Sequence, residues 1–174
     1  MPIQSLLIAL LLTPFNNWTL FKDINGGFMV KIPCKNMKHS VQNIKTGMGE
    51  LAYHSYVCVP EEADAENKVY IVNYIDYPQG LLHRDSVDLR KALLEETVQS
   101  SVSNVGGILA YSDNISLKGV EGRFWRINYN KSNAIMKNRA FIVNSRLFLI
   151  QVATTKARSR NREADVFLDS FSWF

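Results

Sequence analysis

The chain has 174 residues, 47% of them hydrophobic and 21% charged, with a formal net charge of +4. That length fits one domain with a core of ordinary size, which folds without metals or many disulfides. The composition excludes disordered and fibrous proteins, and the mild basicity points only faintly toward anionic partners.

Residues 5–12 read SLLIALLL, an apolar run with the length of a signal-peptide core and too short to span a bilayer. Pro2 and Pro14 bracket it, and the chain turns polar at Asn16 and Asn17. No Lys or Arg precedes the run and no A-x-A cleavage site follows it. Residues 1–17 are read as a signal peptide and 18–174 as a single domain, so the expectation is export to the periplasm or beyond the cell. The alternative, a cytoplasmic adaptor, requires residues 5–12 to pack into the fold. No later stretch approaches the roughly 18 apolar residues of a membrane span, so the mature chain is expected to carry no transmembrane segment.

Gly26 and Gly27 lead into Phe28, Val30 and Ile32, which alternate with period two until Pro33; this is the first predicted strand. A polar connection with Lys35, Lys38, Lys45 and Gly47 leads to a β-prone segment, Glu50 to Val59. Lys68 to Tyr77 is the clearest strand, with Val69, Ile71 and Ile75 on one face and Tyr70, Val72 and Tyr74 on the other. Apolar residues on both faces imply that both are covered. From Asp85 to Val102 the period becomes helical: Val87, Leu94, Val98 and Val102 share a face, Asp85 is the expected cap, and Gly106 and Gly107 close the helix.

Period two then returns in short runs at Ile108 to Tyr111, Ile115 to Leu117, Arg123 to Tyr129, Arg139 to Val143 and Arg146 to Ala153, the last two joined through Asn144 and Ser145. Ala164, Phe167, Leu168 and Phe171 follow at helical spacing, with Ser159 as the expected N-cap. Hairpins outnumber βαβ units in this order, which predicts an α+β fold: a mainly antiparallel sheet with helices packed on it.

Cys34 and Cys58 are the two cysteines. An oxidising compartment invites a bond between them. Geometry argues the other way: if residues 28–33 and 49–59 are neighbouring antiparallel strands, Cys34 lies beside the start of the second and Cys58 at its far end, well beyond the ~7 Å Cα limit.

Several segments taken together resemble a known family. They are Gly27-Phe28-x-Val30-x-x-Pro33, Tyr70-x-Val72-x-Tyr74-x-Asp76-Tyr77-Pro78, Arg139-x-Phe141 with Arg146-Leu147-Phe148, and Phe167-x-x-Ser170-Phe171. They are similar to uncharacterised exported bacterial proteins of the PsbP-like fold, over residues 18–174. The resemblance implies an α/β/α sandwich that acts by binding. The namesake branch consists of extrinsic photosystem II subunits and a distant branch includes a Ran-binding nuclear import factor. No metal or partner site of either branch is matched, so neither function is carried over.

No G-x-S-x-G elbow and no Gly-rich phosphate loop is present. His39, His54 and His83 are scattered and lack metal-ligand spacing, so no metal and no cofactor is expected. Glu95 and Glu96 are neighbours on a helix and face apart. The acidic patch of Glu61, Glu62, Asp64 and Glu66 and the basic run of Lys156, Arg158, Arg160 and Arg162 read as solvated surface. Tyr53, Tyr56, Tyr70, Tyr74, Phe124, Trp125 and Tyr129 read as core and cross-strand pairs rather than a nucleic-acid platform, since no RNP-like motif accompanies them.

The densest polar set runs from Asp76 to Asp85, between a strand end and a helix start, and Asp76, His83 and Arg84 are its surface-site candidates. The expected function is that of a non-catalytic exported binding or accessory protein whose partner is a protein or an envelope component. The competing reading is an enzyme using polar groups around Asp76 and His83, which requires a pocket where they converge.

Overall fold

The computed structural model describes residues 18–47 and 49–174. The signal-peptide reading of residues 1–17 lies outside them. The elements in chain order are β1 (Thr19–Asp23), β2 (Phe28–Ile32), β3 (Lys38–Thr46), β4 (Gly49–Cys58), β5 (Val69–Asp76), α1 (Val87–Asn104), β6 (Ile108–Leu117), β7 (Val120–Tyr129), β8 (Ala134–Val143), β9 (Arg146–Thr155), α2 (Arg162–Ser170) and β10 (Ser172–Trp173). A seven-stranded antiparallel sheet runs β3-β4-β5-β9-β8-β7-β6, and a three-stranded sheet runs β1-β2-β10. The fold is α+β, as its alternating periods predict.

Strand parity divides the core in two. Tyr70, Val72 and Tyr74 of β5 join Phe148, Ile150 and Val152 of β9 and Tyr56 and Cys58 of β4 on one face of the large sheet. Phe28, Val30 and Ile32 of the small sheet and Ala164, Phe167 and Leu168 of α2 cover that face. On the other face Ile75, Leu147, Ala140, Ile142, Trp125 and Ile127 meet Leu93, Leu94 and Val98 of α1. Period-two alternation with both sides apolar is what a sheet packed on both faces demands.

Three strands escaped the sequence reading: β1, β3 and the two-residue β10. The segment read as a polar connection is β3, an edge strand with only Ile44 and Thr46 partly buried. No layer covers most of it, so no apolar period marks it. In β1 only Phe21 and Asp23 turn inward. Ile108 to Leu117 is one strand rather than two, with a register shift between Leu109 and Tyr111 that breaks the alternation.

The expected helix caps are corrected. Asp85 does not cap α1; Ser86 holds the cap position without a side-chain bond. Its C-terminus closes on Gly106 as foreseen: Gly106 has φ +56° and donates to the Ser103 carbonyl while Gly107 donates to that of Val102, a Schellman arrangement. The buried face of α1 is Leu93, Leu94, Val98 and Ser101, and Val87 is exposed. In α2 the cap is Asn161 rather than Ser159: Asn161 Oδ1 accepts from Ala164 N at 2.8 Å. Asn161 and Asn67 also exchange two amide bonds of 3.0 Å, which fixes α2 to the loop before β5.

The geometric argument against the disulfide is overturned. Cys34 and Cys58 are bonded, with their Cα atoms 6.0 Å apart. The argument took β2 and β4 for neighbours in one sheet, whereas they belong to different sheets stacked face to face. The end of β2 therefore lies over the end of β4, and the bond crosses between layers.

Candidate functional site

A cleft of about 540 Å³ lies between α1 and the β3-β4-β5-β9 half of the large sheet. It forms because α1 packs over β7 and β8, which leaves the far half of that sheet face only partly roofed. Leu93, Thr97, Ser100, Ser101, Asn104 and Val105 line the helix side, and Tyr53, Ile75, Tyr77, Leu147 and Leu149 the sheet side. Lys45 and Glu96 stand among the lining residues, both exposed to solvent. Burial pushes the Tyr53 phenol up to about 12.

Two amides are buried in the sheet wall of this cleft. Asn73 of β5 and Gln151 of β9 are buried among its lining residues. Asn73 Nδ2 donates to Gln151 Oε1 at 3.0 Å, and Gln151 Nε2 donates to Asn138 Oδ1 at 2.8 Å. Asn73 Oδ1 is buried and accepts from nothing among the described residues. Buried polar atoms without partners are rare and mark places where something else completes the set.

A second cluster lies on the opposite face, beside the β1–β2 turn. Cross-strand pairing stacks His39 on Tyr56 and His54 on Tyr74, with centroids 4.2 and 4.3 Å apart, and the two imidazoles meet with Nε2 of His39 3.2 Å from Nδ1 of His54. Burial, and after it the neighbouring His39, hold the His54 imidazole below its ordinary value, while Asp76 and Asp23 pull the other way. Burial, then the Tyr74 phenol and the Asp23 carboxylate, push the Tyr56 phenol up.

The residues singled out in the sequence fall as follows. Asp76 holds Arg146 through two bonds, with the guanidinium 4.3 Å from the Tyr74 ring centre. His83 meets Asp85 at 3.1 Å on an exposed turn, and Arg84 is exposed. Neither Asp76 nor His83 nor Arg84 lines the cleft. Of the three histidines, His39 and His54 are brought together although they are distant in sequence. Among the described residues no three His, Cys, Asp or Glu side chains converge as a metal site. Tyr56, Tyr70, Tyr74 and Trp125 are buried, as core aromatics should be. Arg158 of the basic run donates to the Asp64 and Ala65 carbonyls, so that side chain fastens the acidic loop instead of standing free.

Sequence reasoning missed the amides, although a signal was there. Ile71-x-Asn73-x-Ile75, Leu149-x-Gln151-x-Ala153 and Met136-x-Asn138-x-Ala140 each place an amide where the alternation calls for an apolar residue. Three such interruptions on adjacent strands are the trace of a buried polar network.

This arrangement of sheets and helices is a PsbP-like fold. Among solved structures it is similar to cyanobacterial PsbP (CyanoP) from Synechocystis sp. PCC 6803, with a TM-score of 0.60 and 11% identity over 91% of this chain and 93% of that one. At that identity the likeness shows the fold alone. A protein of unknown function, PA94 from Pseudomonas aeruginosa, aligns with a TM-score of 0.38 and 12% identity over 82% of this chain and 85% of that one, which is too low to carry an argument. No protein-family model matches the chain, and no curated protein matches it in sequence.

Proposed function

We propose that this chain is an exported, non-catalytic binding protein that takes a ligand or an envelope component in the cleft between α1 and the large sheet. The observation that carries the reading is the cleft itself: about 540 Å³, within the range of ligand sites, with apolar walls and a few convergent polar groups. Export is supported by the Cys34–Cys58 bond, since such bonds persist in oxidising compartments, and by the apolar run at residues 5–12. No helix among the described residues is long and apolar enough to cross a membrane.

The test is native mass spectrometry of the protein purified from its own cells, beside a Ser100→Trp variant. Ser100 is an exposed position on the helix wall, so an indole there fills the mouth of the cleft without touching the core. A retained small molecule in the wild type that is lost in the variant is expected. Equal retention in both proteins, or none in either together with failure to take up an apolar fluorescent probe, overturns the reading. The same spectra report the N-terminus, and an unprocessed one removes the export part alone.

A further inference from the structure

The amide network in the cleft has a fixed direction. Asn138 Nδ2 donates to the main-chain carbonyls of Met136 at 3.2 Å and Trp125 at 3.4 Å. A carbonyl only accepts, so the Asn138 amide must turn its nitrogen to those groups and its oxygen to Gln151. Gln151 then presents its nitrogen, which donates to Asn138 Oδ1 at 2.8 Å and touches Met136 Sδ at 3.3 Å. Gln151 Oε1 is thereby left to face Asn73, which answers with its own nitrogen at 3.0 Å. Flipping any of the three amides sets oxygen against oxygen or nitrogen against nitrogen. The direction fixed at the Trp125 and Met136 carbonyls is therefore delivered at the other end as one defined group, the acceptor Asn73 Oδ1.

On the helix wall the hydroxyls of Thr97 and Ser101 are already engaged. Thr97 Oγ1 donates to the Leu93 carbonyl, and Ser101 Oγ donates to the Val98 carbonyl while accepting from Trp125 Nε1. Asn73 itself is only 2% exposed and its oxygen is buried, in a residue that stands among the lining of the cleft.

We infer that the cleft selects an uncharged amphiphile, an aliphatic or aromatic body carrying one hydroxyl or amide N–H, whose donor seats on Asn73 Oδ1. This deepens the cleft reading above and rests on it. Tyr53, Ile75, Leu93, Leu147 and Leu149 accept the apolar body. A carboxylate fits badly at this end of the cleft, because it can only accept and would face another acceptor in a dry site. The rim does not discriminate, since it carries Lys45 and Glu96 together.

A set of probes of one size tests this on the full chain. Octan-1-ol, heptyl methyl ether and octanoate near pH 8 differ at the terminal group and share their apolar bulk. Isothermal titration is expected to show the alcohol binding about tenfold tighter than the ether, the worth of one buried neutral hydrogen bond, with octanoate weaker than both. In Asn73→Leu the alcohol-to-ether ratio should fall to about one while the ether binds no worse. If that variant does not fold, the wild-type Asn73 side-chain amide resonance decides, since it should move with the alcohol and stay with the ether. Equal binding of alcohol and ether to the wild type overturns the inference and leaves the cleft reading standing; a buried water then satisfies Asn73. Failure of every probe to bind removes both.

Discussion

Asp76 and Arg146 are joined by a fork of two bonds, Nε to Oδ1 at 2.6 Å and Nη2 to Oδ2 at 2.7 Å, and the remaining arm of the guanidinium, Nη1, reaches the Asn25 and Gly26 carbonyls in the β1–β2 turn. One side chain at the start of β9 therefore holds the small sheet against the large one. The carboxylate is 54% exposed, so its own share is that of a surface pair, about 1 kcal/mol or less. Arg146 in addition satisfies the turn carbonyls and lies over Tyr74. Urea denaturation should show Arg146→Ala costing about 2 to 3 kcal/mol and Asp76→Asn about 1 kcal/mol or less. Equal costs would mean that the ion pair, and not the strap to the turn, is what Arg146 provides.

The Cys34–Cys58 bond closes a loop with a sequence separation of 24. Constraining a loop of that length in the unfolded chain is worth about 3 kcal/mol. Cys58 is 1% exposed, so reduction in the native state should be slow and should speed up only as the protein unfolds. The expected result of urea denaturation is an unfolding free energy lower by about 3 kcal/mol under reducing conditions, with a lower midpoint, and a similar loss in Cys34→Ala/Cys58→Ala without reductant. An unchanged midpoint in both would show that the staple adds no stability.

The disulfide also marks where the sequence stopped being legible. Residues buried on both sides announced themselves: Tyr70 through Tyr74, Phe148 through Val152 and the Ala164-Phe167-Leu168-Phe171 face all lie where their periods put them. What period two cannot say is which sheet a strand belongs to. Phe28, Val30 and Ile32 alternate in the same way whether they pair with β4 or stack above it, and the wrong choice separated two cysteines that are bonded. The amides of the cleft are hidden for a related reason. The density of polar residues in a loop points to Asp76 and His83, whereas Asn73, Gln151 and Asn138 are single polar residues inside apolar strands, and only the strand order β5-β9-β8 brings them together.

His54 gives a pH dependence with a definite sign. Its imidazole is held below the ordinary value chiefly by burial and then by His39, with Arg146 adding to this and Asp76 and Asp23 opposing it; Tyr74 stacks on its face. The unfolded chain therefore takes up the proton first, at about pH 6.5. The contribution is fully present above that value and is lost as pH falls through the lower folded one. Urea midpoints measured from pH 8 down to pH 5 should fall more steeply for the wild type than for His54→Asn. Parallel curves for the two proteins would assign the acid sensitivity to other groups.

Gly122 in β7 is a matter of space rather than of backbone conformation. A Cβ there would sit 2.3 Å from the Ala140 carbonyl oxygen and 2.5 Å from Cδ1 of Phe141, the two residues beside it on β8. Neither can retreat: Ala140 and Phe141 are buried, and β8 is held by strands on both sides. Gly122→Ala should therefore cost about 3 kcal/mol, the upper part of the range for overpacking, because backbone must move. Gly47, in the β3–β4 turn, has nothing within 4 Å of the same added atom and no positive φ. Gly47→Ala should accordingly be neutral or stabilise by up to about 1 kcal/mol by restricting the unfolded chain. Thermal melts of the two variants side by side separate these effects, and a Gly122→Ala protein as stable as Gly47→Ala would show that β7 and β8 lie farther apart than their register implies.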